Sequence, residues 1–165
     1  MTAEERIAAL EQRLRRVEDE LAISRLLAAY GPLVDAGDSD AVADLWAPDG
    51  EYDVEGWHMQ SRADVADMVR SPAHQGLIGG GSAHFLGPAC VDVDGDEAVA
   101  VCESIVVRHH DDEGGGYRVW RAGANHIVLR RTAEGWRIVK RTTRALNGSA
   151  AARVLLTAGV HGRSV

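Results

Sequence analysis

Cysteine, proline and aromatic side chains are scarce in this chain of 165 residues, which has two cysteines, four prolines and 5% aromatics. Cys90 and Cys102 sit in apolar, strand-like contexts and cannot build the disulfide framework of a small secreted domain. They read as small packing residues of a protein from a reducing compartment. A long apolar run is missing too: nothing approaches the roughly 18 residues that a membrane span needs. The chain opens on a charged helical pattern rather than a basic, apolar, small-residue leader, so a cytoplasmic protein with no membrane partner is expected. Without a leader, the sequon Asn147-Gly148-Ser149 carries little meaning.

Positive charge is in deficit as well. A formal net charge of -7 and a pI near 5.4 disfavour a phosphate backbone as ligand, so no nucleic acid partner is expected. Arg130-Arg131 and Lys140-Arg141 alternate with apolar residues and read as solvated strand faces. Gly79-Gly80-Gly81 is not followed by the Gly-Lys-Ser/Thr of a phosphate loop. His109-His110-Asp111-Asp112 would point alternately to opposite faces of a strand, a poor cage for a metal, and no metal or cofactor is expected.

What is present is ordinary globular composition, with 45% apolar and 26% charged residues in a length that suits one domain. From Thr2 to about Tyr30, Ile7, Leu10, Leu14, Val17 and Leu21 repeat at alternating spacings of three and four, a narrow helical seam. Thr2 and Glu5 form a capping-box pattern at its start. The seam is short for an independent coiled coil, which leaves packing on its own domain or on a neighbouring subunit.

Pro32 and Asp35-Ala36-Gly37-Asp38 read as a turn, Ser39 to Trp46 as a short helix, and Glu51–Val54 as a strand. Ser61 caps a helix that ends near Ser71-Pro72. Strands are expected at His84–Val93, Glu97–His109, Tyr117–Arg131 and Trp136–Leu146, with turns at Asp94-Gly95-Asp96, Asp111–Gly116 and Ala133-Glu134-Gly135. Helices first and an antiparallel meander later is the order of an α+β fold, in which a curved sheet leaves a concave face for the helices and a pocket between them.

Tyr30, Asp35 and His84 each interrupt an apolar context. A carboxylate that takes the proton of one imidazole nitrogen sets the tautomer and leaves the other nitrogen as a general base, so Asp35 and His84 form one candidate pair. The plainer alternative makes Asp35 a turn cap and His84 a strand histidine with its bonds satisfied. Arg141 and Arg144, near the end of the last strand, point to opposite faces, so one of them can reach the pocket. Tyr52, Trp57, Glu103, Asn125 and Arg141 are further candidates to contact a substrate, and His126 alternates with Asn125 for the concave face.

Met1–Asp38, with Glu4-Glu5-Arg6, Leu10-Glu11, Tyr30 and Asp35, resembles the bile acid dehydratases of the SnoaL-like group. Tyr52-Asp53-Val54-Glu55-Gly56, Ser82-Ala83-His84, Val91-Asp92-Val93-Asp94 and Trp136–Thr143 also resemble scytalone dehydratase and hexachlorocyclohexane dehydrochlorinase. The resemblance implies the superfamily named for nuclear transport factor two, a cone-shaped α+β fold whose curved, mixed or antiparallel sheet wraps the N-terminal helices around a deep cavity. It implies a cone domain over residues 1–147, with an extended helix over 1–28, and a tail over 148–165.

By the same resemblance His84 removes a proton, Asp35 orients it, and Tyr30 with Arg144 or Arg141 assists. The further catalytic aspartate of the bile acid dehydratases has only Glu103 near its place. A cofactor-independent lyase of the dehydratase type is thereby expected, acting on a small apolar ring such as a steroid, terpenoid or polyketide. An isomerase and a non-catalytic small-molecule-binding domain are the alternatives. The dehydratases suggest a trimer and other members of the superfamily a dimer.

Overall fold

Thirty-four residues, Ala3–Ala36, form the first helix, α1, in the computed structural model, which describes residues 1–112 and 114–165. Thr2 caps it with the reciprocal bonds of a capping box, Glu5 N to Thr2 Oγ1 at 3.2 Å and Thr2 N to Glu5 Oε2 at 2.7 Å. The helix does not stop at Pro32 as expected. The amide that proline lacks would have bonded the carbonyl of Ala28, an exposed residue whose carbonyl water can satisfy. The stop is Gly37, at φ 72°, where the Asp38 amide bonds back to Leu33 O at 3.1 Å.

Helix α2 (Ser39–Ala43) is shorter than expected, because the strand β1 (Trp46–Val54) already begins at Trp46 and pairs with the end strand there. A short β2 (Trp57–Met59) and the helices α3 (Arg62–Arg70) and α4 (Pro72–Gly79) follow. Ser71-Pro72 ends one helix and starts the next: Ser71 Oγ accepts the His74 amide at 3.2 Å, and proline occupies the first turn.

The expected strand His84–Val93 is two, β3 (Ser82–Leu86) and β4 (Cys90–Asp94), separated at Gly87-Pro88-Ala89 and both antiparallel to β5 (Glu97–His110). Then come β6 (Gly116–Thr132) and β7 (Gly135–Ala145). In the turn expected at Asp111–Gly116, Glu113 lies outside the described residues. The curved, unclosed sheet runs in the order β2-β1-β7-β6-β5-β3. β1 lies parallel to β7, and every other pairing is antiparallel.

Alternation assigns the two faces of this mixed α+β sheet. Ala98, Ala100, Cys102, Ile127, Leu129, Trp136 and Ile138 face inward and bury with Ile23, Leu27, Tyr30 and Val34 of α1 and with Val65, Met68 and Val69 of α3. Full burial of each Ile, Leu, Val or Met side chain among them contributes roughly 1.5–3 kcal/mol. The expected tail is a helix, α5 (Ala150–Val160), on the outer face. Its Gly159 touches Val101, and Ala152 and Leu155 pack on Ala124. Among the described residues no helix is long and apolar enough to cross a membrane.

Candidate active site

The site begins where α1 meets β3. Gly31 lies against the carbonyl of His84, in a space that would not admit a Cβ. One helical turn on, Asp35 reaches the same strand residue. Its Oδ2 accepts the His84 amide at 2.6 Å, and its Oδ1 lies 2.7 Å from His84 Nδ1. Ser82 Oγ donates to Oδ1 at 3.4 Å. An ionised carboxylate only accepts, so Nδ1 carries the proton of this bond, and in the neutral imidazole Nε2 is the nitrogen with the lone pair.

His84 lines a cavity of about 270 Å³ between the helices and the inner face of the sheet. Most of its wall is apolar, from Val54, Trp57, Met59, Met68, Leu77, Leu86, Val106 and Trp120. The polar groups are few: Tyr30, Tyr52, Thr143, Arg141, Arg121, the serines Ser71 and Ser104, and the histidines His74 and His84. An apolar chamber with a small number of placed polar groups is the general form of a small-molecule site.

Arg141 is placed by register. It pairs directly with Tyr52 across the parallel β7–β1 ladder and lies beside Ile127 on β6. Its guanidinium carbon stands 4.3 Å from the ring centre of Tyr30 and 4.7 Å from that of Tyr52. Nε and Nη2 donate to Asn125 Oδ1 at 3.2 and 2.8 Å, and Thr143 Oγ1 donates to the same oxygen at 2.8 Å.

Only 3% of Arg141 is exposed, and among the described residues no carboxylate lies within ion-pair distance of it. A guanidinium stays charged. Two aromatic faces and one amide oxygen offset part of its desolvation, by about 2 kcal/mol for each desolvated cation–π contact. The remaining charge is available to an anion in the cavity. Arg121 differs, being paired with Glu55 at 3.4 Å.

Burial, with Tyr52 alongside, drives the Tyr30 hydroxyl far above the ordinary tyrosine range, against the opposing pull of Arg141. Tyr30 therefore stays protonated. His74, from α4, stacks at 5.6 Å between ring centres on His84 and holds Val34 O through Nε2 at 3.3 Å. Burial lowers its proton affinity, outweighing the help of the Val34 carbonyl.

The structure brings Tyr30, Asp35, His84, Tyr52 and Arg141 together, with Trp57 at the half-open edge of the cavity. It separates four other candidates from the chamber. Arg144 faces outward, where Nη2 pairs with Asp53 Oδ2 at 2.5 Å, because alternation sends it to the side opposite Arg141 and Thr143. Glu103 is exposed on the outer face, between the inward Cys102 and Ser104. Asn125 is fully buried beneath Arg141 and holds it instead of lining the wall. His126, on the opposite face from Asn125, binds Arg163 O at 2.8 Å.

His74 and Thr143 were missed in the sequence. The signal for His74 was Ser71-Pro72, a serine cap followed by a first-turn proline, which announces a helix as well as ending one.

A family model described as SnoaL-like domain matches residues 15–142. None of the curated proteins matches the chain. Among solved structures, an NTF2-like protein with a cystatin-like fold from Novosphingobium aromaticivorans is 47% identical, with a TM-score of 0.85 over 89% of this chain and 94% of that one. A protein of unknown function from Mycobacterium tuberculosis is 22% identical, with a TM-score of 0.70 over 92% of each chain. An NTF2-like superfamily protein from Salmonella enterica is 18% identical, with a TM-score of 0.63 over 79% of this chain and 92% of that one, a likeness of fold alone. The α+β cone, the matched span and the near relative agree: the chain belongs to the SnoaL-like domain family of NTF2-like proteins, a family that includes polyketide cyclases and isomerases.

Proposed function

We propose that the protein is a cofactor-independent lyase that removes water from a compact, mostly apolar ring compound carrying a carbonyl group and a hydroxyl β to it. The observation that carries this reading is the contact of His84 Nδ1 with Asp35 Oδ1 at 2.7 Å at the wall of an apolar cavity. A histidine held in this way is a general base.

His84 Nε2 takes a proton from the carbon next to the carbonyl. The electron pair of that C–H bond moves into an enolate, whose oxygen meets the Arg141 guanidinium and the Tyr30 hydroxyl. One preorganised donor aimed at such an oxyanion is worth roughly 3–4 kcal/mol. Collapse of the enolate expels the β-hydroxyl, which leaves as water with the proton returned by the His84 imidazolium. Tyr30 serves as a hydrogen-bond donor and keeps its proton, because burial holds it so firmly.

Isomerisation is the second reading, consistent with one observation that dehydration through His84 also accommodates. Among the described residues that line the cavity there is no carboxylate to act as a separate acid. Return of the proton by the same imidazole to a different carbon needs none. Both readings begin with the same abstraction.

Incubation with a panel of cyclic ketones and β-hydroxyketones in D2O, followed by NMR, tests that step. Deuterium entering the α-carbon with the wild type and failing to enter with His84→Ala is the expected result. Exchange that is absent for the whole panel, or that His84→Ala leaves intact, would sink the catalytic reading in favour of a binding domain.

A further inference from the structure

Helix α1 carries apolar stripes on different faces. Ile23, Leu27, Tyr30 and Val34 are buried in the body of the protein. Ile7, Leu10, Leu14, Val17 and Leu21 are 49–60% exposed. At 100° per residue the two stripes point about 150° apart on the helix. A helix packing only on its own domain would keep one phase. The change of phase between Leu21 and Ile23 turns the first stripe away from the body, and residues 3–18 are exposed throughout.

The arm is anchored at its base. Arg131 binds Asp19 through two bonds of 2.8 and 2.7 Å, and Arg16 reaches Asp92 at 3.2 Å. Neither Arg16 nor Asp19 belongs to the exposed stripe. In heptad notation the stripe has Ile7, Leu14 and Leu21 at a and Leu10 and Val17 at d.

The flanking charges then specify a partner. Arg6, Arg13 and Glu20 fall at g, and Glu11, Glu18 and Arg25 fall at e. In a parallel pair in register, each g residue faces the e residue five positions on in the other helix. That sets Arg6 against Glu11, Arg13 against Glu18 and Glu20 against Arg25 of the second copy, an opposite charge every time. An antiparallel pair brings e against e instead, with Glu11 and Glu18 in repulsion.

We infer that the exposed seam Ile7–Leu21 is an interface for a second copy of this chain, its α1 packed parallel and in register. Such a seam explains why a helix this exposed holds apolar residues at every a and d position through Leu21. Pairing also removes the main obstacle to a solitary helical arm, whose short length is marginal in water.

Disulfide trapping tests orientation and register together. Cys90 is exposed and Cys102 buried, so the background is Cys90→Ser. Leu10→Cys places one thiol on the other across the d layer of a parallel, in-register pair, whereas Gln12→Cys, at f, faces away from it. The expected result is a cross-linked species of twice the 17.7 kDa chain for Leu10→Cys and little for Gln12→Cys. Equal cross-linking of the two variants, or none for Leu10→Cys, overturns the proposal.

Charge reversal supplies an independent check outside the folded body. Arg6→Glu with Arg13→Glu in one chain, and Glu11→Arg with Glu18→Arg in another, should each fail to pair through the arm. Mixing them should restore a heteropair, and this should weaken as salt rises. Unaltered self-association in either variant, with the circular dichroism of the body unchanged, refutes the assignment.

Discussion

Gly31 of α1 and His84 of β3 touch backbone to backbone, and this contact holds Asp35 within reach of the imidazole. Gly31→Ala inserts a methyl group where the His84 carbonyl lies. We expect overpacking of about 1–3 kcal/mol, read as a lower urea midpoint. Activity should fall further than stability explains, since displacement of α1 separates Asp35 from Nδ1. Full α-carbon exchange in a folded Gly31→Ala protein would contradict this account.

Arg141 and Arg144 offer a paired test of which face does chemistry. Arg144→Ala removes a partly buried pair with Asp53 and should change stability by about 1 kcal/mol, with turnover intact. Arg141→Met should lower turnover by roughly 10²–10³, the loss typical of a missing oxyanion donor. The reverse ranking would place the cavity on the wrong side of β7.

Asn125→Asp sets a carboxylate under the Arg141 guanidinium in nearly the same volume. The new ion pair should preserve the fold while neutralising the charge that faces the cavity. Turnover should drop, and affinity for anionic ring compounds such as phenolates should weaken by about tenfold or more, as when a charge-assisted contact is lost. Calorimetric titration of wild type and variant with one phenolate decides it, and equal affinity would count against an anion site at Arg141.

Acid should destabilise the protein in two stages. Burial lowers the proton affinity of His74 and of His126 below the usual histidine value. The unfolded chain therefore binds more protons as pH falls below about 6.5, and stability complete above that value declines toward the lower folded values. A second loss follows below about pH 4, because Arg131 holds the Asp19 carboxyl and Arg144 the Asp53 carboxyl under the ordinary range. Urea midpoints measured across this range should show both limbs. His126→Gln, which retains a donor for Arg163 O, should flatten the first; an unchanged first limb would assign it elsewhere.

Much of the architecture was legible because it is local. The Thr2 capping box, the turn Asp94-Gly95-Asp96 that starts β5 at Glu97 and the Ser61 cap each depend on residues a few positions apart. Boundaries failed where a residue has two local meanings. Pro32 usually ends a helix but is tolerated where the lost bond faces water, and Ser71-Pro72 both stops and starts one. The helix in the tail shows apolar spacing, yet only the sheet face at Val101 and Ala124 gives it something to cover.

The sequence by itself determined the α+β order, the identity of Asp35 and His84 as a candidate pair, and the opposite pointing of Arg141 and Arg144. Tertiary structure alone decided which arginine faces the cavity, because strand alternation sets relative direction while absolute direction depends on register with β1 and β6, each pairing shifted by an irregularity. It also decided that Asp35 reaches His84, 49 residues away, through the close approach at Gly31. And it left the seam Ile7–Leu21 in solvent, since one helix cannot turn two apolar stripes about 150° apart toward the same core.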